Sequence, residues 1–443
     1  VELTIRGGLV LLEGGLIPAA VHVEDGAVAA IGGAAGRGRE IDASGCVVAP
    51  SFIDLHAHLR WPGGLAAEEP EDVADAALLG GFTTVVAMAN TAPAIDTPAR
   101  VREAMERYAT LPIEVIQAAA ATQGRGGERP VDVRTLAEAG VRVLTDDGDA
   151  IARADVALAV FEQAARYDLL VAQHASVPEL SGGVMNAGPL ADRLGYRGVP
   201  EVAEAALVAR DLELARASGV RYHLQHLSAR ESLNLIRAAR RDGLRVSCEV
   251  TPHHLGLEEG ELSAHDARFR VNPPLRSRAT RMALLEALLS GGIDAVATDH
   301  APHPDWAKDV PLEQAAPGML GLCEAFPAVW TAVLEHRARL GASAEPIPGD
   351  WEWLGDEGRD ALTKVLRAFT TGPGGVLGRS RTLAVGAPAD LVVLDPAGRT
   401  VGGGRGAYRS SNSPWAGREL TGSVRWVLRE GRIEVEEGQR VRA

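Results

Sequence analysis

Lysine is almost absent from this 443-residue chain: it stands only at positions 308 and 364, so 43 of the 45 basic residues are arginine. Cysteine is scarce too. Cys46, Cys248 and Cys323 are too few and too scattered for a disulfide framework or a thiolate metal cage, and a reducing cytoplasm is the expected setting. Positive charge is in deficit, with 59 acidic against 45 basic residues and a formal charge of −14, which argues against a nucleic-acid or anionic-membrane partner. An anionic ligand would therefore have to be met by a local cationic site. No apolar run reaches the roughly 18 residues of a membrane span, and the first residues, VELTIRGGLVLLEGG, have no basic stretch ahead of an apolar one, so neither a transmembrane segment nor a signal peptide is expected.

What is present is the composition of a globular chain: 46% hydrophobic and 23% charged residues, with 50 Gly and 25 Pro, long enough for two or three domains or for one large barrel with an attachment. Residues 1–49 alternate as short strands with Gly turns, as do residues 371–443, which predicts one small β-sandwich domain built from both ends. Residues 50–370 differ. Eight strand-like runs, CVVAPSFIDLHAHL, FTTVVAMAN, IEVIQAAAA, VRVLTDD, LLVAQHA, RYHLQHLS, RVSCEVTPHH and DAVATDHAPH, alternate with amphipathic helical stretches. Eight such units over residues 51 to about 335 predict an α/β fold, a (β/α)8 barrel of the TIM type. The polar segment 337–358, with Trp351 and Trp353, reads as a surface loop before a last helix near 360–370.

Five of these runs end in His or Asp: His56 and His58 on the first, Asp146 and Asp147 on the fourth, His174 on the fifth, His226 on the sixth and Asp299 on the eighth. Active sites of such barrels lie at the C-terminal ends of the strands, so these side chains are expected to converge. Imidazole and carboxylate are ligands for zinc and similar divalent ions. Residues i and i+2 of a strand share a face, so His56, His58 and then Arg60 point the same way. A lone strand histidine is usually a satisfied buried group, and His22, His265 and His336 are read so. Polar side chains at five strand ends are harder to explain as packing, because each would need its own buried partner. His223, three residues before His226, is expected to face the opposite side of the strand.

FIDLHAHLR, GGFTTVVAMANT, LTDDG, HLQHLS, VTPHH, VNPPLR and ATDHAPH, in this order along nearly the whole chain, resemble the cyclic-amidohydrolase branch of the amidohydrolase superfamily, and most closely class I dihydroorotase. The resemblance implies two divalent ions, zinc in this family, with His56, His58 and Asp299 on one, His174 and His226 on the other, and Asp147 and a hydroxide between them. Asp147 is favoured over Asp146 for the bridge, its neighbour turning to backbone or solvent. His253 and His254 are expected to support the site rather than bind metal. The reaction implied is the reversible ring opening of dihydroorotate to N-carbamoyl-aspartate in pyrimidine biosynthesis, with Asp299 as general base and then acid. Arg60 would bind the substrate carboxylate bidentately. The resemblance adds Asn90 and His303 at the carboxylate, Asn272 at the ring, and the backbone around Pro317 and Gly318. It also implies a homo-oligomer and leaves association with aspartate transcarbamoylase open.

Several positions depart from the family pattern, among them Trp61, Ala175, Ser176 and Cys323. They keep allantoin or a hydantoin as alternative substrates. Hydantoinases and allantoinases bridge their metals with a carboxylated lysine on the fourth strand, where this chain has Asp and no lysine. A non-catalytic relative that only accompanies aspartate transcarbamoylase would be expected to have lost ligands, and all six candidates are present.

Overall fold

The structure, a computed structural model, describes residues 2–33, 38–342 and 345–442. Its middle is built on eight short parallel strands: β1 (Phe52–Ala57), β2 (Phe82–Ala87), β3 (Glu114–Gln117), β4 (Val143–Leu144), β5 (Leu170–Gln173), β6 (Arg221–Leu224), β7 (Val246–Val250) and β8 (Ala295–Val296). β1, β2 and β3 pair in chain order, as do β4 through β8. Two parallel bridges join these sets, Ala119 with Leu144 after β3 and Ala57 with His300 after β8, and the His58 amide donates to the His300 carbonyl at 2.9 Å. Each strand thus has a neighbour on both sides, and the first strand meets the last.

Helices fill the connections. Arg230–Arg241, between β6 and β7, buries Ser232, Leu233, Ile236 and Ala239 at helical spacing and ends on Arg240 and Arg241, whose charge suits the C-terminal end of the helix dipole. Thr97, Asp132 and Ser277 cap the helices that follow them by accepting a hydrogen bond from a first-turn amide.

Side chains alternate across the strands. Ile53, Leu55, Val86, Met88, Val143, Leu170, Ala172, Ala295 and Ala297 form one buried cluster inside the circuit of strands, while their neighbours Phe52, Val85, Leu144, Val171, Tyr222, Leu224, Cys248 and Val250 join a larger cluster with the helices. β1 breaks this rhythm. Its register with β2 shifts between Asp54 and Ala57, after which Ala57 belongs to the outer cluster and His56 and His58 turn inward.

The two ends of the chain are woven together. A seven-stranded sheet runs in the order Gly15–Pro18, Leu9–Leu12, Val47–Pro50, Leu391–Val401, Glu419–Arg429, Arg432–Glu436, Gln439–Arg440. A four-stranded sheet holds Ala27–Ile31, Val21–Glu24, Leu3–Arg6 and Arg39–Asp42, and one core containing Leu3, Ile5, Val23, Val48, Leu391, Val393 and Leu428 draws on both termini.

Two expectations need correction. The first strand-like run is two strands, because the chain changes partners at Ser51: Val47–Pro50 pairs with Leu391–Leu394, while β1 pairs with β2. The helix expected near 360–370 is longer, Gly355–Phe369, and is followed by a further short one, Thr371–Val376, where strands were expected; the helix before it reaches Arg339, so the loop of that region is shorter than 337–358. Residues 343 and 344 of that loop lie outside the described residues. Trp353 is buried in the main core and the Arg359 guanidinium lies 4.7 Å above the Trp351 ring, so both tryptophans anchor the loop.

Candidate metal and active site

At the C-terminal ends of the strands a carboxylate sits among imidazoles. Asp147 Oδ1 lies 3.2 Å from His56 Nε2, 3.5 Å from His226 Nε2 and 3.7 Å from His174 Nδ1, and its Oδ2 is 3.5 Å from His58 Nε2. Asp299 Oδ1 is 3.0 Å from His58 Nε2 and 3.4 Å from His56 Nε2. All six residues are buried. Strand parity explains Asp147: Val143 faces inward and Leu144 outward, so 145 and 147 also face inward. Asp146 points the other way and accepts from the amides of Ala121 and Thr122, at 2.8 and 3.0 Å, and from the Thr122 hydroxyl. It serves backbone, not the cluster.

His226 arrives differently from the expectation. Leu224 packs outward, so His223 and Gln225 face inward, and His223 Nε2 is 3.0 Å from the buried Glu249. The prediction that His223 faces away from the interior is therefore wrong. His226 reaches the cluster because the strand has ended and its backbone turns left-handed, at φ 32°. Arg60 and Asp299 also have positive φ, 58° and 49°, a conformation that costs side-chain-bearing residues roughly 1–3 kcal/mol and concentrates at functional sites.

The cluster fits a cation. His56 Nε2, His174 Nδ1 and His226 Nε2 are buried without a hydrogen-bond partner, and all three face Asp147. Buried polar atoms of this kind need a partner, and imidazole lone pairs around carboxylates form the donor set of a divalent ion. Two groups are close enough to share an ion, His56–Asp147–His226 and His56–His58–Asp299. The second nitrogens of three of the four imidazoles are already held. His58 Nδ1 lies 2.8 Å from Asn90 Oδ1, His174 Nε2 3.2 Å from the Asn272 amide, and His56 Nδ1 3.0 Å from Glu249 Oε1.

The electrostatics join opposite charges in one buried group. Burial alone would depress the His56 pKa, but the Asp147 and Asp299 carboxylates outweigh it and hold it well above its ordinary value. Burial would raise Asp147 and Asp299, but His56 above all outweighs it and keeps both below the usual carboxylate range. Burial lowers His58, with Asp299 opposing, and lowers His174, with His226 adding to the effect.

Beside the cluster opens a cavity of about 230 Å³, lined by His58, Asp147, His174, His226 and Asp299 together with Arg60, Asn90, Asn272, His303, Pro317 and Gly318. The structure thus brings together every expected site residue, with His56 fully buried beside this cavity. Partly exposed Arg60 donates from Nε to the Pro302 carbonyl at 3.0 Å, and its Nη2 is 3.4 Å from His303 Nε2; among the described residues no carboxylate lies within 4.0 Å of it. Burial lowers its pKa to about 10, which leaves it charged at neutral pH. His303 is pushed down to about 3 by burial and then by Arg60, so it is a neutral imidazole, and its Nε2 donates to the Pro317 carbonyl at 2.9 Å. Gly318 has φ 140°, and a Cβ there would stand 2.7 Å from His303 Nε2.

His254 is a structural residue, bonded to Thr251 and to the Pro273 carbonyl. His253 is buried with Nε2 unpartnered and its pKa lowered to about 4 by burial. Sequence reasoning missed Glu249, although the alternation of Ser247-Cys248-Glu249 on a strand carried the signal that this carboxylate faces inward.

A strand-borne imidazole–carboxylate cluster of this kind suits hydrolysis assisted by a divalent ion, and the fold is shared with cyclic amidohydrolases. L-Hydantoinase (dihydropyrimidinase) from Arthrobacter aurescens superposes with a TM-score of 0.84 at 22% identity, covering 100% of this chain and 97% of that one. Dihydropyrimidinase from Brevibacillus agri gives 0.83 at 21%, covering 100% and 96%. Residues 45–232 match a family model described as dihydro-orotase-like. Dihydroorotase of Deinococcus radiodurans is 40% identical over 401 residues, 90% of this chain and 91% of that protein, and dihydroorotase of Thermus aquaticus is 41% identical over 425 residues, 94% and 95%. The chain belongs to the dihydroorotase family. No helix among the described residues is long and apolar enough to cross a membrane.

Proposed function

We propose that this protein catalyses the reversible ring opening of dihydroorotate to N-carbamoyl-aspartate. The observation that carries the reading is Arg60, a charged arginine without a carboxylate partner among the described residues, in the same cavity as the imidazole–carboxylate cluster. Dihydroorotate offers one group to each: a ring amide to the cluster and a carboxylate to the arginine. Relatives named dihydroorotase over nine-tenths of the chain support it.

His56, His58, Asp147, His174, His226 and Asp299 would hold two divalent ions, zinc by the chemistry of the donor set. When bound, such ions polarise a carbonyl and lower the pKa of water. Arg60, with Asn90 and His303 beside it, binds and orients the substrate carboxylate. Asn90 and Asn272 also hold the outer nitrogens of His58 and His174. Asp299 takes a proton from the attacking water and returns it to the ring nitrogen as the carbon–nitrogen bond breaks, so water divides between the new carboxyl group and the new amide. The nearby His56 and then His58 hold Asp299 below the usual carboxylate range, ionised and ready to accept it.

The scaffold reading is a (β/α)8 barrel over residues 50–370 with a β-sandwich formed by 1–49 and 371–443, supported by the strand pairings and by the core shared between the termini. A hydantoinase-type bridge through a carboxylated lysine has no support. Lys308 Nζ donates to the carbonyls of Ala267 and Arg270, and Lys364 pairs with Asp360 on its own helix. The test is turnover of the zinc-loaded protein on dihydroorotate, N-carbamoyl-aspartate, allantoin and hydantoin side by side. Activity on the first two is expected; turnover of allantoin or hydantoin alone would overturn the assignment.

A further inference from the structure

We propose that Glu249 is a positioning residue of the metal centre: its carboxylate holds the proton of His56 on Nδ1 and so turns Nε2 toward Asp147 and Asp299 as a bare lone pair. The inference rests on the reading of His56 as a metal ligand.

A carboxylate has only acceptors to offer. Glu249 Oε1 lies 3.0 Å from His56 Nδ1, and Oε2 lies 3.0 Å from His223 Nε2. Both contacts are attractive only when each of those nitrogens carries hydrogen. In the neutral form that a metal ligand must take, His56 then has one free nitrogen, the one left without a hydrogen-bond partner in the cluster. Oε1 is also 3.4 Å from the backbone N–H of His226, so the same carboxylate touches a second residue of the centre.

β7 and β1 are not neighbours in the circuit of strands, and the contact crosses its interior between fully buried residues. An ionised carboxylate in such a place is costly unless its oxygens are satisfied. Here they are, and the chain of bonds continues: His223 Nδ1 is 2.8 Å from Ser247 Oγ, which lines a separate cavity of about 430 Å³ with Arg245, Asp294 and Thr371. Ser247, His223, Glu249 and His56 therefore form one hydrogen-bonded line from the metal cluster to that second cavity. Gln225 does not replace Glu249 in this role. Its amide nitrogen, 3.3 Å from His56 Nδ1, is a donor facing a donor when Nδ1 is protonated, and its oxygen is taken by the Thr145 hydroxyl at 2.9 Å.

A purely structural role for Glu249 predicts lost stability and unchanged metal binding; a positioning role predicts lost metal affinity beyond any effect of loosening the core. The experiment measures Zn²⁺ and Co²⁺ dissociation constants by competition with a chromophoric chelator, and the visible spectrum of the Co²⁺ protein, for wild type, Glu249→Gln, His223→Gln and His56→Ala. Glu249→Gln is expected to weaken the tighter site about 10- to 100-fold and to change the Co²⁺ spectrum. His223→Gln, which leaves the His56 contact in place, is expected to stay within about threefold of wild type. A loss below tenfold in Glu249→Gln with an unchanged spectrum, or an equal loss in His223→Gln, overturns the proposal. Should Glu249→Gln not fold, Glu249→Asp keeps the charge but withdraws it by one methylene; a loss of at least fivefold supports the proposal and a smaller one refutes it. His56→Ala separates the two readings. If it binds metal like wild type, the ligand assignment itself fails; if it loses metal while Glu249→Gln does not, only the positioning role fails.

Discussion

Replacing Arg60 by methionine tests the substrate reading most directly, because it removes a charge and a hydrogen-bonding fork while keeping much of the side-chain volume. Arg60 is anchored through Nε to the Pro302 carbonyl, so its terminal nitrogens face the cavity from a fixed stem. At about 4 Å and an effective dielectric near 20, a guanidinium–carboxylate pair is worth about 4 kcal/mol. Part of that offsets the removal of both charges from water, leaving about 2–3 kcal/mol, or roughly 30- to 150-fold in kcat/KM. The carboxylate keeps its charge throughout the reaction, so most of the loss should fall on KM rather than kcat. Steady-state kinetics with dihydrouracil, which lacks the carboxylate, closes the argument. Wild type should use it poorly by a similar factor, and Arg60→Met should add little further loss. An Arg60→Met variant within tenfold of wild type on dihydroorotate, or one that loses as much on dihydrouracil, would refute the pairing. Arg60→Lys should recover only part of the loss, since a single ammonium cannot reproduce the bidentate fork.

Asp299→Asn should retain bound metal by elemental analysis while kcat falls by about 10²–10⁴, the range for losing a general acid–base group; near-normal turnover would remove Asp299 from that role. Asp146→Ala strands the buried Ala121 and Thr122 amides and should lower unfolding stability by about 2–3 kcal/mol in denaturant titration, whereas Asp147→Asn should lose metal with a smaller change in the stability of metal-free protein. Lys308, buried and pushed down to about 7 by burial and by Arg270, gives a pH signature. Between about pH 7 and 10.5 the unfolded chain binds this proton more tightly than the folded one, so wild-type stability relative to Lys308→Met should rise with pH across that window. A gain of about 2 kcal/mol from pH 7 to 9 is expected by chemical denaturation, and a flat difference would contradict it.

What could be read from the sequence was what local periodicity decides. Asp147 over Asp146 and the inward turn of His174 and Asp299 follow from counting residues along a strand, and the helices follow from spacing and caps. The same counting misleads where a strand ends or slips. His223 was expected to face away, but it is His226 that departs from strand geometry, swung inward by a left-handed backbone. On β1 an uninterrupted alternation from the inward Ile53 and Leu55 would put Ala57 inside and send His56 and His58 outward; the register shift after Asp54 is what reverses this.

Glu249 marks the other limit. Nothing within ten residues of it in the chain requires a buried carboxylate; its reason is His56, 193 residues away and across the interior. Such a contact exists only once the circuit of strands has closed, through the pairing of Ala57 with His300. A pattern of histidines and aspartates can announce a centre because they lie at the ends of five successive or neighbouring strands of the scaffold. For the groups that orient those ligands, alternation shows at most that one of them, Glu249, faces inward; their partners are fixed by closure and not by neighbourhood in sequence. The carboxylate on His56 and the amides on His58 and His174 come from β7, from the end of β2 and from the segment after β7, so the centre's outer layer is a property of the whole scaffold. A substitution there should therefore alter the metal's environment without touching any residue of the recognisable motif.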